Sequence, residues 1–222
     1  MQSWASRNRG PAQVPTAPVQ PPEIGRPAVR EGRFTDGWKR DRMTWIKPSF
    51  LWMTYPCGWA TKEGQETVPA VEIRRAGFEW ALRSACLSSC VHGVHPDRAA
   101  WRRQLKRAPA RVQWDPERDL RLQPLPYRPL QRGLSGEAVR RCADEWTVAV
   151  RDVTPLAHEI HALVSSGDLT SAARLLPQER PYPAGDGSLA HLLGDGPGRQ
   201  AAGGKRQPMG PTAARVRRPA RP

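Results

Sequence analysis

WKRDRMTWIKPSFLWMTYPCGW, residues 38–59, carries a tryptophan at every seventh position, Trp38, Trp45, Trp52 and Trp59. A heptad of indoles makes a helical stripe only if the whole segment is one helix. Pro48 prevents that, because proline inside a helix removes a backbone donor and clashes with the preceding turn, whereas at a helix start it is tolerated. The segment therefore divides into an extended piece, RMTWIK, and a short helix, PSFLWMTY, which Pro56 and Gly58 end. Trp38 and Trp45 fall on the extended approach, Trp52 in the helix and Trp59 in the turn beyond it.

Working outward, a short helix is expected over EIGRPAVREG despite its interior Pro27. ETVPAVEIR (66–74), RVQWD (111–115) and WTVAVRDV (146–153) have the β-branched content or alternation of strands. RAGFEWALRSACLSSC reads as a helix with Phe78, Leu82 and Cys86 at steps of four on its buried face. PDRAAWRRQLKRA reads as a basic amphipathic helix opened by Pro96 and Asp97. PERDLRLQPLPYRPLQRG is a loop leading to a short strand. LSGEAVRRC starts a helix with Ser135 as its cap and Leu134 packed on Val139. TPLAHEIHALVSS is capped by Thr154 and closed by Gly167, and Asp168 caps a last helix, LTSAARLL. Strands and helices are interspersed without the regular rhythm of a doubly wound sheet, so the expected class is α+β, one compact domain with a small mixed sheet.

The 222 residues suffice for one such domain. Residues 1–22 and 183–222 are rich in Pro, Ala, Gly or Arg without period and are expected to be disordered tails around a body at 23–182. The net charge of +14 resides half in the end of the chain, where residues 197–222 hold seven basic residues and no acid. Residues 1–33 carry +3, which leaves +4 for 34–196, so charge alone is weak evidence for a nucleic-acid partner. No run of apolar residues is long enough for a membrane span, and the N-terminus has no apolar signal region. With four cysteines and no export signal, a cytoplasmic protein without a membrane partner is expected.

Three clusters have site chemistry. Cys86, Cys90, His92 and His95 supply zinc-type ligands, but they crowd into one segment where such sites separate the Cys and His pairs, and Cys86 lies on an apolar stripe; no metal is expected. The helix over 96–107 carries Arg98, Arg102, Arg103, Lys106 and Arg107, suited to phosphates or to water. Arg40, Arg42, Thr44, Trp45, Lys47 and Trp52 interleave cations with indoles, a mix that grips a diphosphate and stacks on a purine or nicotinamide ring. Glu145, just ahead of WTVAV, and the pair Gln131 and Arg132 are further polar groups for a cleft. The chain has no GxGxxG, GxxxxGK, GxSxG or HExxH.

RDRMTWIKPSFLWMTY (40–55), AGFEWAL (76–82), VQWDPERDLR (112–121), PLPYR (124–128) and LSGEAVRRCADEW (134–146) closely resemble the uncharacterised bacterial and fungal family termed domain of unknown function 4291, over about residues 23–182. The resemblance implies a domain but carries no activity with it. That family has an alternating strand where this chain has PAQVPTAPVQPP, which implies that a copy lacking it could be inactive. The order of elements is also loosely similar to the ADP-ribosyltransferase fold, which implies NAD held between two small sheets, with Glu145 as the carboxylate that stabilises an oxocarbenium-like transition state and the 39–47 block on the diphosphate side. The expectation is a domain that binds a phosphate-bearing ligand, NAD-like or a nucleic-acid end, through Arg40, Arg42, Thr44, Trp45, Lys47 and Trp52. The alternatives are a non-enzymatic RNA or DNA binder that uses the helix over 96–107 and the basic tail, or an inactive family member.

Overall fold

A computed structural model describes residues 20–179. The two expected tails lie almost wholly outside those residues, as does the Pro-rich stretch before residue 20. The chain enters through Gln20, whose N–H and C=O both pair with Thr67 (2.9 and 3.0 Å), and turns at once into α1 (Pro22–Glu31). Pro22 at its first position needs no N–H partner, and Gly32, at φ 67°, supplies the left-handed residue that stops it. Pro27 is accommodated in its middle.

The opening stretch folds as its proline demands. β1 is Thr44–Ile46, and Pro48 separates it from α2 (Phe50–Thr54), capped by the Ser49 hydroxyl, which accepts from the Trp52 N–H at 3.1 Å. β2 (Pro69–Ile73) then leads into α3 (Arg75–Arg83). The expected helix does not run on through Cys86: Ser84 ends it and Ala85–Leu87 become β3, a parallel partner of β4 (Ala110–Trp114) across the crossover helix α4 (Arg98–Arg107). α4 begins two residues past Pro96, with Asp97 as its cap accepting from the Ala100 N–H at 2.7 Å.

β5 (Leu130–Leu134) runs antiparallel to both β4 and β1, which gives a four-stranded sheet in the order β1-β5-β4-β3. α5 (Glu137–Arg141) follows; its N-cap position is Gly136, at φ 50°, with no side-chain cap, and the Ser135 hydroxyl donates instead to the Pro109 carbonyl at 3.2 Å. Leu134 and Val139 do share the main core, as their spacing suggested. A π-helical turn, Cys142–Trp146, joins α5 to β6 (Thr147–Asp152), which pairs with β2 in a separate two-stranded sheet. α6 (Thr154–Ser166) and α7 (Leu169–Leu175) form a closing hairpin through Gly167, at φ 86°, with Asp168 capping α7. Thr154 is no cap; its hydroxyl accepts from the Val68 N–H at 2.9 Å and ties α6 to the segment before β2. The class is α+β, as expected.

The main core lies between one face of the four-stranded sheet and the helices α1, α3 and α5, with Ile46, Val112, Leu134, Phe78, Leu82 and Val139 among its buried members. α3 comes close enough to the π-helical turn that Gly77 rests on the Trp146 indole; a Cβ there would stand 2.3 Å from the ring. A second cluster joins Phe50, Leu51 and Trp59 to Ala157, Ile160 and Ala172, which anchors the α6–α7 hairpin on α2. Among the described residues no helix is long and apolar enough to cross a membrane.

Candidate functional site

β1 runs in the same direction as β4, since each is antiparallel to β5. The ends of β1 and β4 therefore meet, and the polar residues just beyond them converge: Lys47 and Ser49 after β1, Asp115, Glu117 and Arg118 after β4. Lys47 is 1 % exposed, with its ammonium 3.5 Å from the centroid of the Trp52 ring and 3.9 Å from Asp115 Oδ2. Glu117 is also buried; its Oε1 accepts from the Ser49 hydroxyl at 2.6 Å and from the Arg118 N–H at 2.9 Å. Glu179 arrives from beyond α7 to accept from the Phe50 N–H at 3.3 Å. A pocket of about 200 Å3 opens here, with Glu117, Arg118, Tyr127 and Glu179 among its walls.

Burial controls the charges of this centre. Desolvation lowers the Lys47 pKa to about 7, against the pull of Asp115 and Glu117, which favour the ammonium. Glu179 is pushed up to about 7, first by burial and then by the charge of Glu117, with the Phe50 N–H and Lys47 opposing. The centre can thus hold and exchange protons near neutrality. Thr44 is buried in β1 opposite Leu134, so its hydroxyl belongs to the sheet interior.

The outer face of the same sheet has a different character. Register and alternation put Trp45, Gly133, Gln131, Arg111 and Gln113 on the side away from the main core. Trp45 lies across Gly133, where a Cβ would meet its ring at 3.0 Å, so the glycine is what lets the indole settle on the sheet. Gln131 is 4 % exposed. Neither its side-chain oxygen nor Nε of Arg111 has a hydrogen-bond partner among the described residues. Gln113 donates to Asp115 at 3.1 Å, which links this face to the buried centre. Arg132, the other half of the expected polar pair, points the opposite way and is closed into the core with its guanidinium 3.1 Å from the Phe78 ring centroid.

The remaining candidates fall elsewhere. Arg40 binds Asp144 at 2.9 Å, so the cationic segment ahead of β1 is joined to the π-helical turn that bears Glu145. Glu145 itself is exposed, and its carbonyl accepts from Arg74 Nε at 3.2 Å. Arg42 is exposed. The structure thus splits the expected binding set between the two ends of one short strand, Arg40 and Arg42 before it and Lys47 with Trp52 after it, with Trp45 between. Of the Cys and His cluster, Cys86 is closed into β3, Cys90 is exposed, and Nδ1 of the buried His95 sits 3.1 Å from the Val91 N–H. Among the described residues no three His, Cys, Asp or Glu side chains stand together as metal ligands.

Ser49, Arg111, Asp115, Glu117 and Glu179 were not singled out in the sequence. Ser49 had a readable signal, a hydroxyl directly after a proline and before an apolar helix. The carboxylates had none, because their partners lie far away in the chain.

No curated protein and no solved structure matches the chain. The profile of one family, described as a domain of unknown function (DUF4291), matches residues 19–182, most of the chain and all of the folded body, and the chain belongs to that family.

Proposed function

We propose that this domain binds a phosphate-bearing, nucleotide-like ligand, NAD or a close relative, on the outer face of the four-stranded sheet. The observation that carries the reading is the half-exposed Trp45 indole, seated on Gly133 beside a buried Gln131 whose carbonyl oxygen has no partner among the described residues. An indole fixed on a glycine is a stacking surface, and an amide oxygen held out of water gains most from a ligand N–H. Arg111 on β4 and Arg42 ahead of β1 supply guanidinium forks for phosphate oxygens, while Arg40, bonded to Asp144 and to the Thr35 carbonyl, holds the segment ahead of β1 in place. Lys47, buried at the end of β1 with its ammonium on the half-buried Trp52 ring, supports the strand end, with the buried Thr44 anchoring its start.

The reading extends to chemistry through Glu145. Its carboxylate is exposed at the turn that Arg40 grips by way of Asp144. In NAD cleavage or ADP-ribosyl transfer it stabilises the positive charge that develops on the ribose as nicotinamide leaves and water or another nucleophile adds at the same carbon. The test is a thermal-shift titration of the full chain with NAD, ADP and short RNAs, followed by product analysis with NAD. NAD or ADP is expected to stabilise the protein saturably and Trp45→Ala to abolish the shift; Glu145→Gln is expected to retain the shift and lose NAD cleavage. A Trp45→Ala variant that binds like the parent overturns the site, and a Glu145→Gln variant that cleaves NAD at full rate overturns the chemistry.

A further inference from the structure

Away from both sites, the end of α3, the start of β3 and one arc of α4 enclose a groove of about 470 Å3. Arg83, Arg103 and Arg107 line it, with Ser84 and Gln104 between them and only alanines as hydrocarbon. No carboxylate is in the lining. Of the acids nearby, Glu79 lies outside the lining and is shared, its Oε1 accepting from Arg75 at 3.0 Å and its Oε2 standing 3.9 Å from Arg83, and Asp97, which feels Arg103, accepts from the Ala100 N–H at 2.7 Å.

Arg103 and Arg107 have no ion pair among the described residues and stand one helical turn apart, where like charges repel. Apolar burial does not explain the arrangement, because α4 has no fully buried residue and is held by the Trp101 indole Nε1–H donating to the Leu87 carbonyl at 2.9 Å. An anion in the groove relieves the repulsion, and the planar fork of arginine matches two oxygens of a phosphate. The exposed Arg98, Arg102 and Lys106 continue the positive field along the helix, which suits a chain of phosphates better than a single ion. No aromatic ring lines the groove, so nothing there reads or stacks on a base.

We propose that the groove formed by Arg83, Arg103 and Arg107 grips consecutive phosphodiesters of a single-stranded nucleic acid without regard to sequence, with Ser84 and Gln104 donating to the same oxygens. This site is separate from the Trp45 face and does not rest on that reading. The experiment measures fluorescence anisotropy of a labelled oligothymidylate on the full chain between 50 and 200 mM salt. For the double variant Arg83→Gln/Arg103→Gln the slope of log affinity against log salt is expected to shrink by about 1.4, roughly 0.7 for each lost phosphate contact on a single strand. Arg26→Gln/Arg30→Gln removes the same charge from the exposed side of α1, away from the groove, and is expected to change the slope little. Arg83→Lys keeps the charge, loses the fork and is expected to weaken binding with an unchanged slope. Equal losses in the two double variants, no binding by the parent chain, or competition by polyglutamate as strong as by unlabelled oligonucleotide would each overturn the proposal.

Discussion

The two faces of the four-stranded sheet are built to different rules. On the inner face Ile46, Val112 and Leu134 are at most 5 % exposed and pack on Phe78 and Leu82. On the outer face the same three strands present Trp45 among Arg111, Gln113 and Gln131, and these last three give little to a hydrophobic core and lose hydrogen bonds to water when half buried. A sheet face that only needed to be solvated would leave its amides exposed. One that only needed to stabilise the fold would carry valines. The outer face does neither, which is why it is read as the binding surface, and the contrast predicts that stability and binding can be separated by face.

The largest effect on folding belongs to the inner face. Leu134→Ala, at a fully buried position, is expected to cost about 3–5 kcal/mol by denaturant unfolding. Gln131→Ala, three residues earlier in the same strand and on the other face, is expected to cost under about 1 kcal/mol, because the amide oxygen it loses has no partner among the described residues. If Gln131→Ala proved as damaging as Leu134→Ala, the distinction between the faces would collapse. Next in size is Lys47→Ala at the end of β1, expected to cost about 3 kcal/mol by leaving Glu117 and Asp115 without their buried cation.

A smaller effect sharpens the picture of that buried centre through pH. The folded state holds an extra proton on Glu179 between about 4.5 and 7, so this group's contribution to stability falls as pH rises through that window. Lys47 behaves in reverse: the unfolded chain keeps its proton up to 10.5 while the folded one releases it from about 7, so stability rises with pH between those values. The two together place a minimum of stability near neutrality. Glu179→Gln keeps the oxygen that accepts from the Phe50 N–H, and is expected to add about 1–2 kcal/mol at pH 7.5 and to remove the acidic limb. A variant whose stability fell with pH as steeply as the parent's would show that Glu179 is not the group responsible. The smallest expected effect is that of Gly133→Ala. Its Cβ would crowd the Trp45 ring at 3.0 Å and Met43 at 3.1 Å, so a loss of only about 0.5–1 kcal/mol of stability is expected, with weaker ligand binding as the indole lifts from the sheet.

Local signals in the sequence were read correctly where the structure is itself local. Pro48 divided β1 from α2, Asp168 capped α7, and Gly167 closed α6. β3 was missed because Ala85–Leu87 continues the apolar spacing of α3 without a breaker, and becomes a strand only by pairing with residues 110–112 beyond a whole crossover helix. Ser135 looked like a cap because its competitor, the Pro109 carbonyl, lies 26 residues away. The same limit applied to the site. The mix of cations and indoles in 40–52 drew attention to β1, on which the proposed site rests, and Gln131 was noticed as a cleft group. That Lys47 is enclosed rather than open to solvent depends on Asp115 and on Glu117, the latter bonded to Ser49 68 positions away, and no local pattern encodes that contact.

The central claim is that the outer sheet face, through Trp45, is where the ligand binds. Calorimetric titration of ADP into the full chain and into Trp45→Ala, with matched unfolding curves for both proteins, tests it most directly. Saturable binding by the parent is expected, with at least a tenfold weaker affinity for Trp45→Ala at a temperature where both proteins remain folded. Equal affinity in the two proteins, or no binding by the parent, would contradict it.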